Sequence, residues 1–262
     1  VDFVRELLRG TAEFGNETKN GTARRPLMKR HIPKHIVWIC SFLVMFSAVA
    51  ADSNTVVPPA FRMPGANTYM KNITFVIFDT ETTGFSPAKD RLVEIGAVKV
   101  RDGKNLGEKT WLINPQRYIP WYVQQVHNIT PEMLEGMPTF AEVYPEFLEF
   151  IDGAVLIAHN APFDIRFIAA EAVRNDMPVP KNAVLDSLAL FRNWYPDMKN
   201  HRVSDLIDLF GISTDGMHAH RATDDSLFVY YAIQKEMERR SESPRFSDLL
   251  KSAGSTLRFG GD

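Results

Sequence analysis

Five side chains at three separated places could serve one reaction. Asp79 and Glu81, in "DTETTG", set two carboxylates two residues apart at the end of an apolar run. In a strand, such neighbours point to the same face. Two anions held there are costly unless a cation or a basic group meets them. Asp164 follows a second apolar run, "AVLIAHN" at 154–160, with Pro162 suited to the first turn of a helix. Asp225 falls in the first turn of a long helical pattern, with His220 in the loop just before it. Oxygen-only donors suit hard cations such as Mg²⁺ or Mn²⁺. Two such ions about 3.5–4 Å apart can clamp a phosphodiester for in-line attack. A histidine with an ordinary pKa of about 6.5 can take a proton from the attacking water. The plain alternatives are a solvated strand end for Asp79 and Glu81, and helix N-terminal carboxylates for Asp164 and Asp225.

Positioning these groups requires strands and helices that alternate. Thr74–Asp79 reads as a buried strand, followed by a turn at "TGFSP". "RLVEIGAVKV" at 91–100 and "LGEKTWLINP" read as two more, joined through Asp102-Gly103 as an antiparallel hairpin. Short helical pieces are expected over 121–135. A helix is expected over 139–151, where Thr139 and Glu142 form a capping box. A buried strand at 154–160, a helix from Pro162 and a short strand in "NAVLDS" follow. Helices are expected at about 187–195, 203–210 and 223–240. The order β-β-β-α-β-α-β-α-α predicts an α/β domain, a mixed sheet with helices packed on it.

"DTETTG", "HNAPFD" and "HRATDD" resemble the three motifs of the DEDDh group of DnaQ-like 3'–5' exonucleases. That group includes the proofreading subunit of bacterial DNA polymerase III. The resemblance covers about 71–235 and implies a ribonuclease H-like mixed sheet. It also implies two divalent cations, Mg²⁺ or Mn²⁺, held by Asp79, Glu81, Asp164 and Asp225, with His220 as general base. Arg221 stands where the tyrosine-using sister group carries its Tyr. "VHNIT" resembles the family's I/V-H-G-I-T element, which makes His127 a wall of the terminal-nucleotide pocket. Asn128 replaces the usual Gly there, and Asn tolerates the left-handed conformation. By the same resemblance Thr82, Thr83 and Gly84 bring backbone and hydroxyl groups to the terminal nucleotide, and Phe163 packs near the last bases.

The remaining sequence bounds the biology. Of 262 residues, 45% are hydrophobic and the net charge is -2, so no global basic field marks a long duplex track. Single-stranded or frayed DNA 3' ends are the expected substrate, with RNA ends as the rival within the family. A non-catalytic, polymerase-associated binding subunit is the rival of another class. Cys40 is the single cysteine, so no disulfide framework or cysteine zinc site can form. Residues 1–27 read as an unstructured or non-native extension. Residues 28–51 carry a basic start, an apolar run and small residues, the three parts of a signal peptide. Residues 52–70 read as a linker, 71–240 as the exonuclease domain and 241–262 as a C-terminal tail. The expectation is export, with the 28–51 segment as the sole membrane contact if it stays uncleaved. Translation from Met70 would instead give a cytoplasmic protein, for which a DNA polymerase becomes an available partner.

Overall fold

The computed structural model describes residues 60–214 and 221–260. The signal peptide-like segment and His220 lie outside the described residues.

Strand β1 (Phe75–Thr82) runs three residues beyond the expected Asp79, so Glu81 is still in the strand. Strand β2 (Leu92–Arg101) pairs antiparallel with β1, and β3 (Lys104–Leu112) antiparallel with β2. The turn between them is the expected two-residue one, with Asp102 and Gly103 both at positive φ. Strands β4 (Val155–Ala158) and β5 (Val184–Asp186) add in parallel, giving the sheet order β3-β2-β1-β4-β5. Helix α1 (Trp121–His127) and a 3-10 turn at Pro131–Leu134 occupy the region expected to hold short helical pieces. Helix α2 (Phe140–Phe150) starts at the capping box, where the Thr139 N–H donates to Glu142 Oε2 at 2.7 Å. Helices α3 (Pro162–Arg174), α4 (Ser187–Trp194), α5 (Val203–Phe210) and α6 (Ala222–Arg240) follow in the expected order.

Alternation along β1 divides the core. Val76 and Phe78 face one layer, packing with Tyr144 and Phe147 of α2 and with Ile165 and Phe167 of α3. Phe75 and Ile77 face the other, with Val98, Val100, and Leu227, Val229 and Ile233 of α6. The segment from Ser241, set apart on its polar composition, carries helix α7 (Phe246–Ala253), whose Phe246 and Leu249 are fully buried in that second layer. The Phe246 N–H donates to the Thr68 carbonyl at 2.8 Å, tying this end to the residues that precede β1. Among the described residues, no helix is long and apolar enough to cross a membrane.

Candidate active site

The site begins with the absence of a side chain. Gly96 of β2 lies opposite Asp79, and Glu94 lies opposite Glu81. These four positions share one face of the sheet. A Cβ on Gly96 would come within 2.1 Å of the Thr223 nitrogen and 2.3 Å of the Ala222 carbonyl carbon. The first turn of α6 therefore rests directly on the strand. Glu94, fully buried, fixes it there. Its carboxylate accepts from the Ala222 N–H at 2.9 Å and from Arg221 Nη2 at 2.8 Å. An anion capping the helix N-terminus is favoured by the helix dipole as well. One turn further on, Asp225 is delivered against β1. Asp79, Glu81 and Asp225 each offer a carboxylate oxygen, and these atoms all lie within 4.8 Å of one another.

Asp164 arrives from the opposite layer. It is 2% exposed in the first turn of α3, and the Thr80 hydroxyl donates to its Oδ1 at 2.7 Å. Thr80 alternates with Asp79 and Glu81 along β1, which explains why Asp164 flanks the triad rather than joining it. The four carboxylates still sense each other. Burial, then the charges of Asp164, Glu81 and Asp225, push Asp79 well above the ordinary carboxylate range. Burial, then Glu94 and Asp225, push Glu81 up to about 8, and Arg221 offsets only part of this. Burial pushes Asp164 up to about 7 against the hydrogen bond from Thr80. Among the described residues, no Lys or Arg forms an ion pair with Asp79 or Glu81. All-oxygen, closely grouped and raising one another's pKa values, this donor set fits a hard divalent cation.

The groups expected around a nucleotide lie beside it. Thr82 and Thr83 are buried, and both hydroxyls are engaged within the loop. Thr82 Oγ1 donates to the Gly84 carbonyl at 2.6 Å, and Thr83 Oγ1 accepts from the Arg91 N–H at 3.0 Å. A Cβ on Gly84 would meet the Asp90 carboxylate at 2.5 Å, so the loop closes only around a glycine. Its outward group is Phe85, 82% exposed. His127 is buried at the end of α1. Its Nδ1 accepts from the Ile129 N–H at 2.9 Å, and its ring also meets the Thr82 backbone. Burial holds its pKa below the ordinary value, against the pull of Glu94. Asn128 takes the left-handed conformation expected of it, φ 57° and ψ 22°. Phe163 is partly buried and packs on Phe167, ring centroids 4.8 Å apart. Sequence reasoning passed over Glu94, Gly96 and the Arg221 side chain. The signal was present: one acid and one glycine interrupt the apolar strand "RLVEIGAVKV".

Comparison with known proteins places this geometry. Residues 76–233 match the family model described as RNase_T, an exonuclease. The DNA polymerase III PolC-type of Caldanaerobacter subterraneus subsp. tengcongensis is 39% identical over 168 residues, 64% of this chain and 12% of that protein. Its counterpart in Clostridium perfringens is 40% identical over 175 residues, 67% of this chain and 12% of that protein. The chain thus spans about 12% of the length of these curated relatives. Among solved structures, exonuclease X in complex with 5' overhanging duplex DNA is 26% identical with a TM-score of 0.53. That match covers 67% of this chain and 98% of the other. Exonuclease I is 20% identical with a TM-score of 0.59, covering 69% of this chain and 44% of that one. The mixed sheet and its helices are the ribonuclease H-like exonuclease fold.

Proposed function

The chain belongs to the RNase_T family of exonucleases, and from that premise we propose that it is a divalent-metal-dependent 3'–5' exonuclease. It releases nucleoside 5'-monophosphates from single-stranded or frayed DNA 3' ends. The observation that carries this reading is the close, half-buried triad of Asp79, Glu81 and Asp225, flanked by the buried Asp164, with the pKa values of Asp79, Glu81 and Asp164 driven upward. These four residues would hold two cations, Mg²⁺ or Mn²⁺. When bound, such ions supply the charge that offsets the phosphodiester and ease deprotonation of water.

The chain's own residues do the rest. The loop Thr82-Thr83-Gly84, closed on Arg91 and Asp90, presents backbone to the terminal nucleotide. His127, buried beside the Thr82 backbone at the end of α1, is placed to line its pocket. Phe163 lies at the start of α3, beside Asp164, where the last base would pack. His220 takes the proton of the attacking water. Segment 28–51 exports the chain. Were native N-terminal sequencing to find a cytosolic start at Met70 instead, a DNA polymerase partner would become the expectation, the relatives being DNA polymerase III of PolC type.

The test is hydrolysis of a 5'-labelled single strand by the full chain with Mg²⁺ or Mn²⁺. Stepwise shortening from the 3' end, stopped by EDTA and by Asp79→Ala, is the expected result. Release of the 5' label as the first product, or undiminished cleavage in EDTA, would overturn the reading.

A further inference from the structure

A second feature opens beside the carboxylates. A cleft of about 820 Å³ runs from Asp225, past His159 and Asn160, between α4 and the loop leading into α5. Its walls carry Arg192, Lys199 and Arg202, all exposed. Among the described residues, none of the three forms an ion pair. Six other arginines of the described residues stand in ion pairs. Arg91 and Arg174 pair with Glu171, Arg117 with Asp90, Arg221 with Glu94, and Arg239 and Arg240 with Glu236. The wall is also tied together by hydrogen bonds. His159 bridges the Ser187 hydroxyl at 3.0 Å and the His201 carbonyl at 2.7 Å, and His201 Nε2 reaches the Tyr195 carbonyl at 2.8 Å. A small inner pocket beside Asp79 shares His159, Val203 and Asp225 with the cleft.

We propose that this cleft is the track for a single nucleic-acid strand, with Arg192, Lys199 and Arg202 contacting phosphates of nucleotides upstream of the 3' end. The inference rests on the exonuclease reading for its direction, and on the cleft itself for its ligand class. Three uncommitted cations leading to an acidic site form a polarised path. The cleft attracts a polyanion, and the carboxylates repel it except where cations bind. A chain with net charge -2 needs such a local strip to hold a strand at all.

The test separates binding from hydrolysis. Affinity of the full chain for a fluorescent single-stranded oligonucleotide is measured by anisotropy in EDTA over a range of salt. The triple variant Arg192→Ala, Lys199→Ala, Arg202→Ala should bind at least about tenfold more weakly. Its log–log salt slope should be shallower by about 2, since each phosphate contact on a single strand contributes about 0.7. A second triple variant, Arg101→Ala, Lys104→Ala, Lys181→Ala, removes the same charge elsewhere and should leave the slope near that of the unmodified chain. Substitution of Arg192 and Arg202 by Lys should retain binding, which separates charge from folding. Equal losses in both triple variants, or an unchanged slope in the first, overturn the track. Salt-dependent binding through the cleft without any hydrolysis in Mg²⁺ or Mn²⁺ would support the track and remove the exonuclease reading. Hydrolysis with an unaltered salt slope in the cleft variant would do the reverse.

Discussion

Helix α6 carries a carboxylate in its first turn and another, fully buried, near its last, and the two are treated in opposite ways. Glu236, near the C-terminal end, accepts from the Tyr195 hydroxyl, from Arg239 and from Arg240. Burial raises its pKa, but those hydrogen bonds outweigh burial and hold it below the ordinary value. Asp225, at the N-terminal end, is set against Asp79 and Glu81, whose pKa values rise. Glu94 belongs to the first kind although it sits beside the second, because Arg221 and the Ala222 N–H complete it. Burial alone therefore does not mark the site. A carboxylate with its donors supplied by the chain is architecture, and a cluster whose carboxylates raise one another's pKa values calls for a cation from outside.

Substitutions at the two ends should part company. Asp79→Ala should reduce metal-dependent hydrolysis by at least about 10³-fold. Its melting temperature in EDTA should not fall, because a repelling charge has been removed. Glu236→Gln should do the opposite, costing about 3 kcal/mol in urea unfolding with the rate per folded molecule retained. Equal behaviour of the two variants in both assays would erase the distinction.

Gly96→Ala probes how the site end is seated. The added methyl must push the first turn of α6, and Asp225 with it, off the sheet. A displacement of about 1 Å should lower kcat by about 10²-fold, with about 1–3 kcal/mol of lost stability. An unchanged kcat would show that Gly96 only relieves packing.

The pH dependence sharpens the contrast. Glu81 has a folded pKa of about 8 against 4.5 for the free group. The folded state thus binds more protons between these values, and stability is lost as pH rises from about 4.5 to about 8. The reference is Glu81→Gln, which cannot titrate at that position. In EDTA, the stability of the unmodified chain relative to this variant should fall across that window, and Mn²⁺ should reverse the fall. Glu236 has a depressed folded pKa, so its contribution is lost only when pH drops through that value. Thr80→Val should have the smallest effect, about 1 kcal/mol for the hydrogen bond to Asp164, with about a tenfold lower rate. Parallel pH profiles for Glu81→Gln and the unmodified chain would contradict the electrostatic account.

Much of the fold was legible because periodicity and punctuation agreed. The Asp102-Gly103 turn, the Thr139 capping box and Pro162 at a helix start each mark an element where it is found. The length of β1 was less legible, because the charged end "TET" follows a polar pattern and only its pairing with Glu94 and Leu92 of β2 holds it extended. Helix α7 was obscured by its polar face. Its burial depends on Phe246 and Leu249 meeting a layer built from distant strands and helices. Within the site, the acids announce themselves as charges at strand and helix ends. The even-odd split that sends Asp164 to Thr80, and the seating of α6 on Gly96, depend on register between strands. No local pattern carries that register.

The most direct test is a Mn²⁺ titration of the full chain, with free ion followed by electron paramagnetic resonance, for the unmodified protein, Asp79→Asn and Glu236→Gln. Saturable binding by the unmodified protein and by Glu236→Gln, lost in Asp79→Asn, is the predicted result. Absence of saturable binding in the unmodified protein, or equal binding by Asp79→Asn, would contradict the claim that the carboxylates at the end of β1 form a cation site.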